Sequence, residues 1–243
     1  AREQILAAGS RQFPEGDVQH WWLPQGGAGV RTRIADDVVW LAYAANEYMR
    51  VTGDDTILDE ELPFIEGPIL DERQHDSFFE PGASSQTATL YEHAARALDL
   101  AVSRTGEHGL PLILGGDWND GMNRVGIGGK GSSVWLGWFL LGTLTEFVIH
   151  AAKRGDLSRE ELWKEHAARL KEALETAGWD GTYYRRGYFD DGSPLGSAQN
   201  TECRIDSLSQ SWSVLSGAGD PERSAQAMDA VLSELVDDNT GII

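Results

Sequence analysis

The stretch Ser133-Val134-Trp135-Leu136-Gly137-Trp138-Phe139-Leu140-Leu141-Gly142-Thr143-Leu144-Thr145-Glu146-Phe147-Val148-Ile149 decides the fold class. It is apolar almost throughout, but its two glycines, two threonines and Glu146 interrupt it. It also falls short of the ~20 apolar residues that a membrane span requires. It reads as a helix buried on most sides. Gly155-Asp156 then stops it, and Ser158-Arg159-Glu160-Glu161 reads as a capping box that opens a second helix over 158–176.

Outward from this pair the same punctuation recurs at Gly53-Asp54, Gly106-Glu107 and Gly219-Asp220. A glycine stop followed at once by an acidic residue ends one helix and starts what comes next. Short connections of this kind make antiparallel helix pairs. Helices are expected over 34–51, 87–104, 133–153, 158–176, 206–216 and 221–236, the last opened by a capping Asp220 and Pro221 at the first helical position. Asp36 and Asp37 suit the N-terminus of the helix over 34–51. No run of alternating strands is convincing, and only 110–114 and 182–188 read as short extended pieces. Aromatics are spread through the long loops 13–33, 54–86, 107–132 and 179–204, which therefore do not look like linkers, and no internal boundary is visible.

The 39 acidic against 20 basic residues leave a formal charge of -19, which argues against nucleic acid or an anionic membrane as partner. One cysteine, Cys203, excludes an internal disulfide. The six histidines have no ligand spacing, so no protein-bound metal is expected. No secretory leader is visible at the start, and the chain reads as a piece of a longer polypeptide. Nine tryptophans beside 28 glycines suit a protein that shows indole faces in a cleft, although most of the nine are expected in the core.

The densest chemistry lies in Gly115-Gly116-Asp117-Trp118-Asn119-Asp120-Gly121-Met122-Asn123-Arg124. Asp117 and Asp120, three residues apart, would share one side of a helical turn. A carboxyl beside an apolar indole is held neutral by desolvation and suits a general acid. The same letters also make a good Asn-Asp-Gly turn, and both readings stay open here. A calcium loop fails because the glycine comes one position early. Gly126-Ile127-Gly128-Gly129-Lys130-Gly131 matches a dinucleotide fingerprint by letter only, since no βαβ unit surrounds it. Arg31 and Arg33, if extended, point to the same side and suit sugar hydroxyls, a phosphate or a surface ion pair. His20-Trp21-Trp22 and the segment from Trp179 to Arg186 either stack on sugar or plug the core.

The segment 115–123, with Gly129-Lys130-Gly131-Ser132-Ser133-Val134-Trp135-Leu136-Gly137-Trp138, resembles glycoside hydrolase family 94. So do Gly16-Asp17-Val18-Gln19-His20-Trp21-Trp22-Leu23-Pro24, the segment from Gly29 to Ile34, and Glu202-Cys203-Arg204-Ile205-Asp206-Ser207 with Gln210-Ser211-Trp212. The resemblance is strongest to the branch that acts on cyclic β-1,2-glucan, and it covers nearly the whole chain. It implies an all-α fold, an (α/α)6 barrel of six hairpins, of which 1–243 supplies an incomplete catalytic portion.

The activity implied is inverting phosphorolysis of β-1,2-glucosidic bonds, or the reverse synthesis, with α-glucose 1-phosphate as product. Asp120 is the implied general acid. Arg31, Asp37, Trp118, Asp117, Arg186 and Gln210 are the implied substrate-binding residues. No cofactor is implied beyond inorganic phosphate as co-substrate, and the phosphate-binding elements are expected C-terminal to residue 243. Expected partners are a β-glucan oligosaccharide, phosphate, and a second copy or the rest of the parent chain. No membrane insertion by this segment is expected, and the location is cytoplasmic, with the parent protein attached to the inner membrane. An inverting hydrolase using Glu202 or Asp206 as base, or a segment that only binds glucan, are the alternative functions.

Overall fold

Apolar spacing and glycine stops set the helix boundaries in the computed structural model, which describes residues 1–71, 74–237 and 239–242. The chain forms two units, 1–104 with 115–122 and 105–114 with 123–243. The chain changes unit after residues 104, 114 and 122, a division that leaves no mark in composition.

The first unit runs α1 (Arg2–Gly9), β1 (Gln19–Trp22), β2 (Gly29–Thr32), α2 (Asp37–Thr52), β3 (Glu61–Glu66), β4 (Asp76–Phe79), β5 (Gly82–Thr89) and α3 (Leu90–Ser103). In α2 the buried residues Val38, Val39, Leu41, Ala42, Ala45 and Met49 recur at helical spacing. Gly53 ends it at φ 72°, where its N–H bonds the Met49 carbonyl. Asp36 sits at the N-cap position of α2 but makes no side-chain cap bond. In α3, Thr89 is a working cap on Glu92 N–H, and Leu90, Ala94, Leu98 and Ala101 face the core.

The loops expected over 13–33 and 54–86 hold five strands. β1, β2 and β4 form one antiparallel sheet in that order, and β3 pairs with β5 in another. The sequence hid them for different reasons: β1, β2 and β4 are four residues each, too short for a run of alternation, Pro63 interrupts β3, and β5, Gly-Ala-Ser-Ser-Gln-Thr-Ala-Thr, has no buried stripe to mark it. Gly29 is required where β1 crosses β2, since a Cβ there would lie 2.2 Å from the Trp21 carbonyl oxygen.

The second unit runs β6 (Ser132–Ser133), α4 (Val134–Arg154), α5 (Leu157–Thr176), β7 (Gly187–Tyr188), β8 (Pro194–Leu195), α6 (Ser207–Leu215) and α7 (Pro221–Glu234). Ser133 Oγ caps α4 at Leu136 N–H, 3.0 Å away. Gly155 stops α4 at φ 71°, and α5 returns against it. The cap of α5 is Asp156, which accepts from Arg159 N–H; Ser158 is already inside the helix, so the expected capping box is absent. Asp220 caps α7 through Glu222 and Arg223 N–H, as read from the sequence.

At 21 residues α4 is longer than its apolar stretch, and by length and composition it is sufficient to cross a membrane. Yet 67% of its most apolar window is buried in the fold. Trp135, Trp138 and Phe147 of α4, with Trp163 of α5, are at most 1% exposed. Each buried indole withdraws ~150–250 Å² from water, roughly 4–6 kcal/mol at ~25 cal/mol per Å². In this unit α4 is therefore a core helix.

Candidate active site

Two backbone hydrogen bonds bring the acidic segment to the N-terminus of α2. Gly115 N–H donates to the Arg33 carbonyl (3.0 Å), and Ala35 N–H to the Gly116 carbonyl (2.8 Å). Gly116 adopts φ 143°, a region open to glycine. Asp117 to Asp120 are thereby laid beside Asp36 and Asp37.

From there Asp117 and Asp120 part company. Asp117 is fully buried and its Oδ1 accepts from Asn119 N–H. Asp120 begins a short 3-10 turn, 120–122, and its side chain is 62% exposed. The two carboxylates therefore do not share a side of one helical turn, as the spacing suggested. Asn119 Oδ1 accepts from Gly121 N–H, so the turn chemistry read from Asn-Asp-Gly is also present. Trp118 is 61% exposed and does not wall Asp120 off from water. The expected desolvation by the indole is absent in the free chain.

His20 is what Asp120 meets instead. Its Nε2 lies 3.3 Å from Asp120 Oδ2, and its Nδ1 lies 2.9 and 3.1 Å from the two Asp37 oxygens. Thr32 Oγ1 donates to Asp37 Oδ2 (3.1 Å) and accepts from Ile34 N–H. His20 is pushed up to about 9, mainly by the Asp37 hydrogen bond; burial opposes this, and the Asp37 and Asp120 charges add to it. The imidazole is thus protonated at neutral pH and both nitrogens donate. Sequence reading grouped His20 with Trp21 and Trp22 as aromatics and missed this role. Its partners lie 17 and 100 positions away, beyond any local signal.

His20 and Asp37 line a cleft of about 320 Å³, with Ile5, Trp22, Trp40 and Leu41 as apolar walls. Asp36, 4% exposed, accepts from Nε1 of the wall residue Trp40 at 2.7 Å. Burial raises Asp36 to about 7; the Trp40 bond opposes this, and the Asp37 and Asp117 charges reinforce it.

Arg31 belongs to a different cluster. It is 2% exposed and forks onto Asp17 (2.7 and 2.6 Å), with Glu15 at 3.1 Å and the Pro68 carbonyl at 3.1 Å. Its guanidinium also lies over the Phe13 ring. Arg33 binds the carbonyls of Gln74, Leu70 and Asp71. Both arginines line one cavity of about 180 Å³, on the same side, as the extended reading predicts.

The remaining residues singled out by resemblance lie in the second unit. Gln210 is fully buried: its Oε1 accepts from Tyr184 N–H, and its Nε2 donates to the Tyr184 and Asp206 carbonyls. Arg186, 3% exposed, donates to Ser133 Oγ and pairs with Asp206 at 3.5 Å. Asp206 caps α6 at Leu208 and Ser209 N–H. The glycine-rich loop 126–131 curls around Asp190, whose carboxylate accepts from the N–H groups of Gly128, Lys130 and Gly131. Burial raises Asp190, but those three bonds outweigh it and hold the carboxyl below its ordinary value. The aromatic loops divide: Trp21 and Phe78 form an exposed pair, whereas Tyr184 is buried beneath Trp179. Among the described residues no group of three or more His, Cys, Asp or Glu has the arrangement of a metal site.

Residues 1–243 match the model for the glycosyl hydrolase 94 superfamily, catalytic domain. The chain is 65% identical over its full length to the cyclic beta-(1,2)-glucan synthase NdvB of Rhizobium meliloti (strain 1021), of which it covers 9%. It is 36% identical over 97% of its length to a solabiose phosphorylase of Paenibacillus borealis, covering 28% of that protein. The chain thus spans under a third of either relative. A solved rhamnosidase from Klebsiella oxytoca aligns over 91% of this chain and 35% of its own, with a TM-score of 0.57 at 16% identity, a likeness of fold alone.

Proposed function

Because the chain belongs to the glycosyl hydrolase 94 superfamily, we propose that it forms the acid-bearing part of a domain that cleaves β-1,2-glucosidic bonds by inverting phosphorolysis. The product is α-glucose 1-phosphate, and the same site runs the reaction in the synthetic direction. The helix pairs are read as an incomplete portion of an (α/α)6 barrel, with the rest of the parent chain as partner and the cytoplasm as location. The observation that carries the reading is Asp120, exposed and joined through His20 to the cleft wall formed by His20 and Asp37.

Protonated Asp120 gives its hydrogen to the glycosidic oxygen while phosphate attacks the anomeric carbon from the opposite face. Inverting hydrolysis needs a second carboxylate to activate water. Phosphate is already anionic, so a single carboxyl suffices. Desolvation favours the neutral form of a carboxyl, and a sugar ring laid on the exposed Trp118 indole supplies the dry wall that the free chain lacks. Asp206 is a poor hydrolytic base, since its oxygens are occupied by the α6 cap and Arg186.

The test is release of α-glucose 1-phosphate from β-1,2-glucan and phosphate by the full-length parent protein, which supplies the downstream phosphate-binding elements, and by its Asp120→Asn variant. The variant is expected to lose at least ~10²-fold in rate. Full activity in Asp120→Asn, or glucose release that needs no phosphate, refutes the reading.

A further inference from the structure

We propose that His20 is a positioning residue for Asp120: anchored through Nδ1 on Asp37, it uses Nε2 to hold the Asp120 carboxyl beside the cleft wall that His20 and Asp37 form. The inference rests on the reading of Asp120 as the acid.

Backbone geometry points the same way as the side-chain distances. In the β1–β2 pair Gln19 faces Arg31 and Trp21 faces Val30, so the register shifts at His20 and leaves it as the extra residue. A bulge re-aims a side chain that regular pleating would send elsewhere, and bulges gather beside active sites. The anchor is itself held. Ile34 N–H fixes the Thr32 hydroxyl, which donates to Asp37, which accepts from His20. An exposed aspartate on a three-residue turn otherwise sweeps several rotamers; the Nε2 donor selects one of them.

The arrangement also suits both protonation states of the acid. While Asp120 is ionised it forms an ion pair with the imidazolium. When Asp120 is protonated, Nε2–H donates to its carbonyl oxygen and leaves the hydroxyl free to face a glycosidic oxygen. The charged groups that face His20 are Asp37 from α2 and Asp120 from the turn; α1 presents Gln4, Ile5 and Ala8, and β1 presents Trp22.

Two measurements decide it. The first is imidazole titration of His20 by NMR in wild type, Asp37→Asn and Asp120→Asn. The His20 midpoint is expected well above 6.5 and near 9, falling furthest in Asp37→Asn and by a smaller, resolved step in Asp120→Asn. A midpoint that ignores Asp120→Asn overturns the proposal. The second is phosphorolysis by the full-length parent protein carrying His20→Ala or His20→Gln. We expect kcat to fall about 100-fold in His20→Ala with KM within about twofold, the loss typical of a misplaced reacting group. In His20→Gln, whose amide N–H still reaches a carboxyl, at least ~tenfold of that loss is recovered. A raised KM with unchanged kcat makes His20 a sugar ligand and overturns the proposal. A full-length parent protein that releases no glucose 1-phosphate, or keeps full activity as Asp120→Asn, refutes the acid reading itself, whereas an active parent protein with indifferent His20 variants refutes only this inference.

Discussion

Replacing Asp36 by asparagine removes a buried carboxyl that the fold holds at a cost. Asp36 is 4% exposed. Its Oδ2 accepts from Trp40 Nε1, and its Oδ1 is buried with no hydrogen-bond partner. Burial lifts it from an ordinary 3.8 to about 7. A group raised on folding stabilises fully below its unfolded value, and that contribution is lost as pH rises through the folded one. At ~1.36 kcal/mol per unit, the ionised carboxylate costs about 4 kcal/mol above pH 7, and the cost grows by about 2.5 kcal/mol between pH 5 and pH 8.

Asparagine keeps the shape and the bond from Trp40 but does not titrate. Its amide inherits the orphan position at a penalty of about 1–3 kcal/mol. That penalty is the same at both pH values and cancels in the difference. The assay is urea unfolding of wild type and Asp36→Asn at pH 5 and pH 8, followed through amide signals of α2 so that the first unit is the one observed. With m about 2 kcal/mol per M, the variant's midpoint gains about 1 M on wild type between the two pH values. Parallel midpoints would mean that Asp36 is not desolvated, and the account of its burial behind Trp40 would fall with it.

In the second unit, Gln210→Leu strands the buried N–H and C=O of Tyr184 and is expected to destabilise by about 3 kcal/mol. A lowered Tm checks this; a purely kinetic defect would instead make Gln210 a free ligand group. Asp190→Ala unties the loop 126–131 and costs about 1–3 kcal/mol. Faster hydrogen exchange at Gly128, Lys130 and Gly131 is the readout. Because Asp190 sits below its ordinary value, its contribution holds above pH 3.8 and is lost as pH falls, so wild type and variant should converge in acid.

The helices were legible because each combines buried 3.6-residue spacing with a chemical stop. Gly53 and Gly155 are both left-handed caps, and Asp220-Pro221 opens α7 as read. α1 was not legible, since among its eight residues only Ile5 and Gly9 are buried. The strands were not, because β1, β2 and β4 are only four residues long, Pro63 breaks the pattern of β3, and β5 has no buried stripe. The cap of α5 fell to Asp156 rather than Ser158, for both residue types favour that position and spacing alone does not rank them. The acidic segment drew notice through its density of polar side chains. What spacing does not encode is environment. Asp117 went inside and Asp120 outside, Trp118 stayed in water, and the cation beside Asp120 came from a strand a hundred residues earlier.

The indoles divide unevenly between the units. Trp135, Trp138 and Trp163 are enclosed in the second, while Trp21, Trp40 and Trp118 are open to water in the first. Emission excited at the red edge should therefore contain two populations. Iodide should quench Trp21, Trp40 and Trp118 first and leave the blue-shifted light of Trp135, Trp138 and Trp163, with the half-buried Trp22, Trp179 and Trp212 between them, and on the proposed function a glucan ring covering Trp118 should shield part of the quenchable fraction. On that reading, quenching of Trp118 would report saccharide occupancy without a label and without turnover.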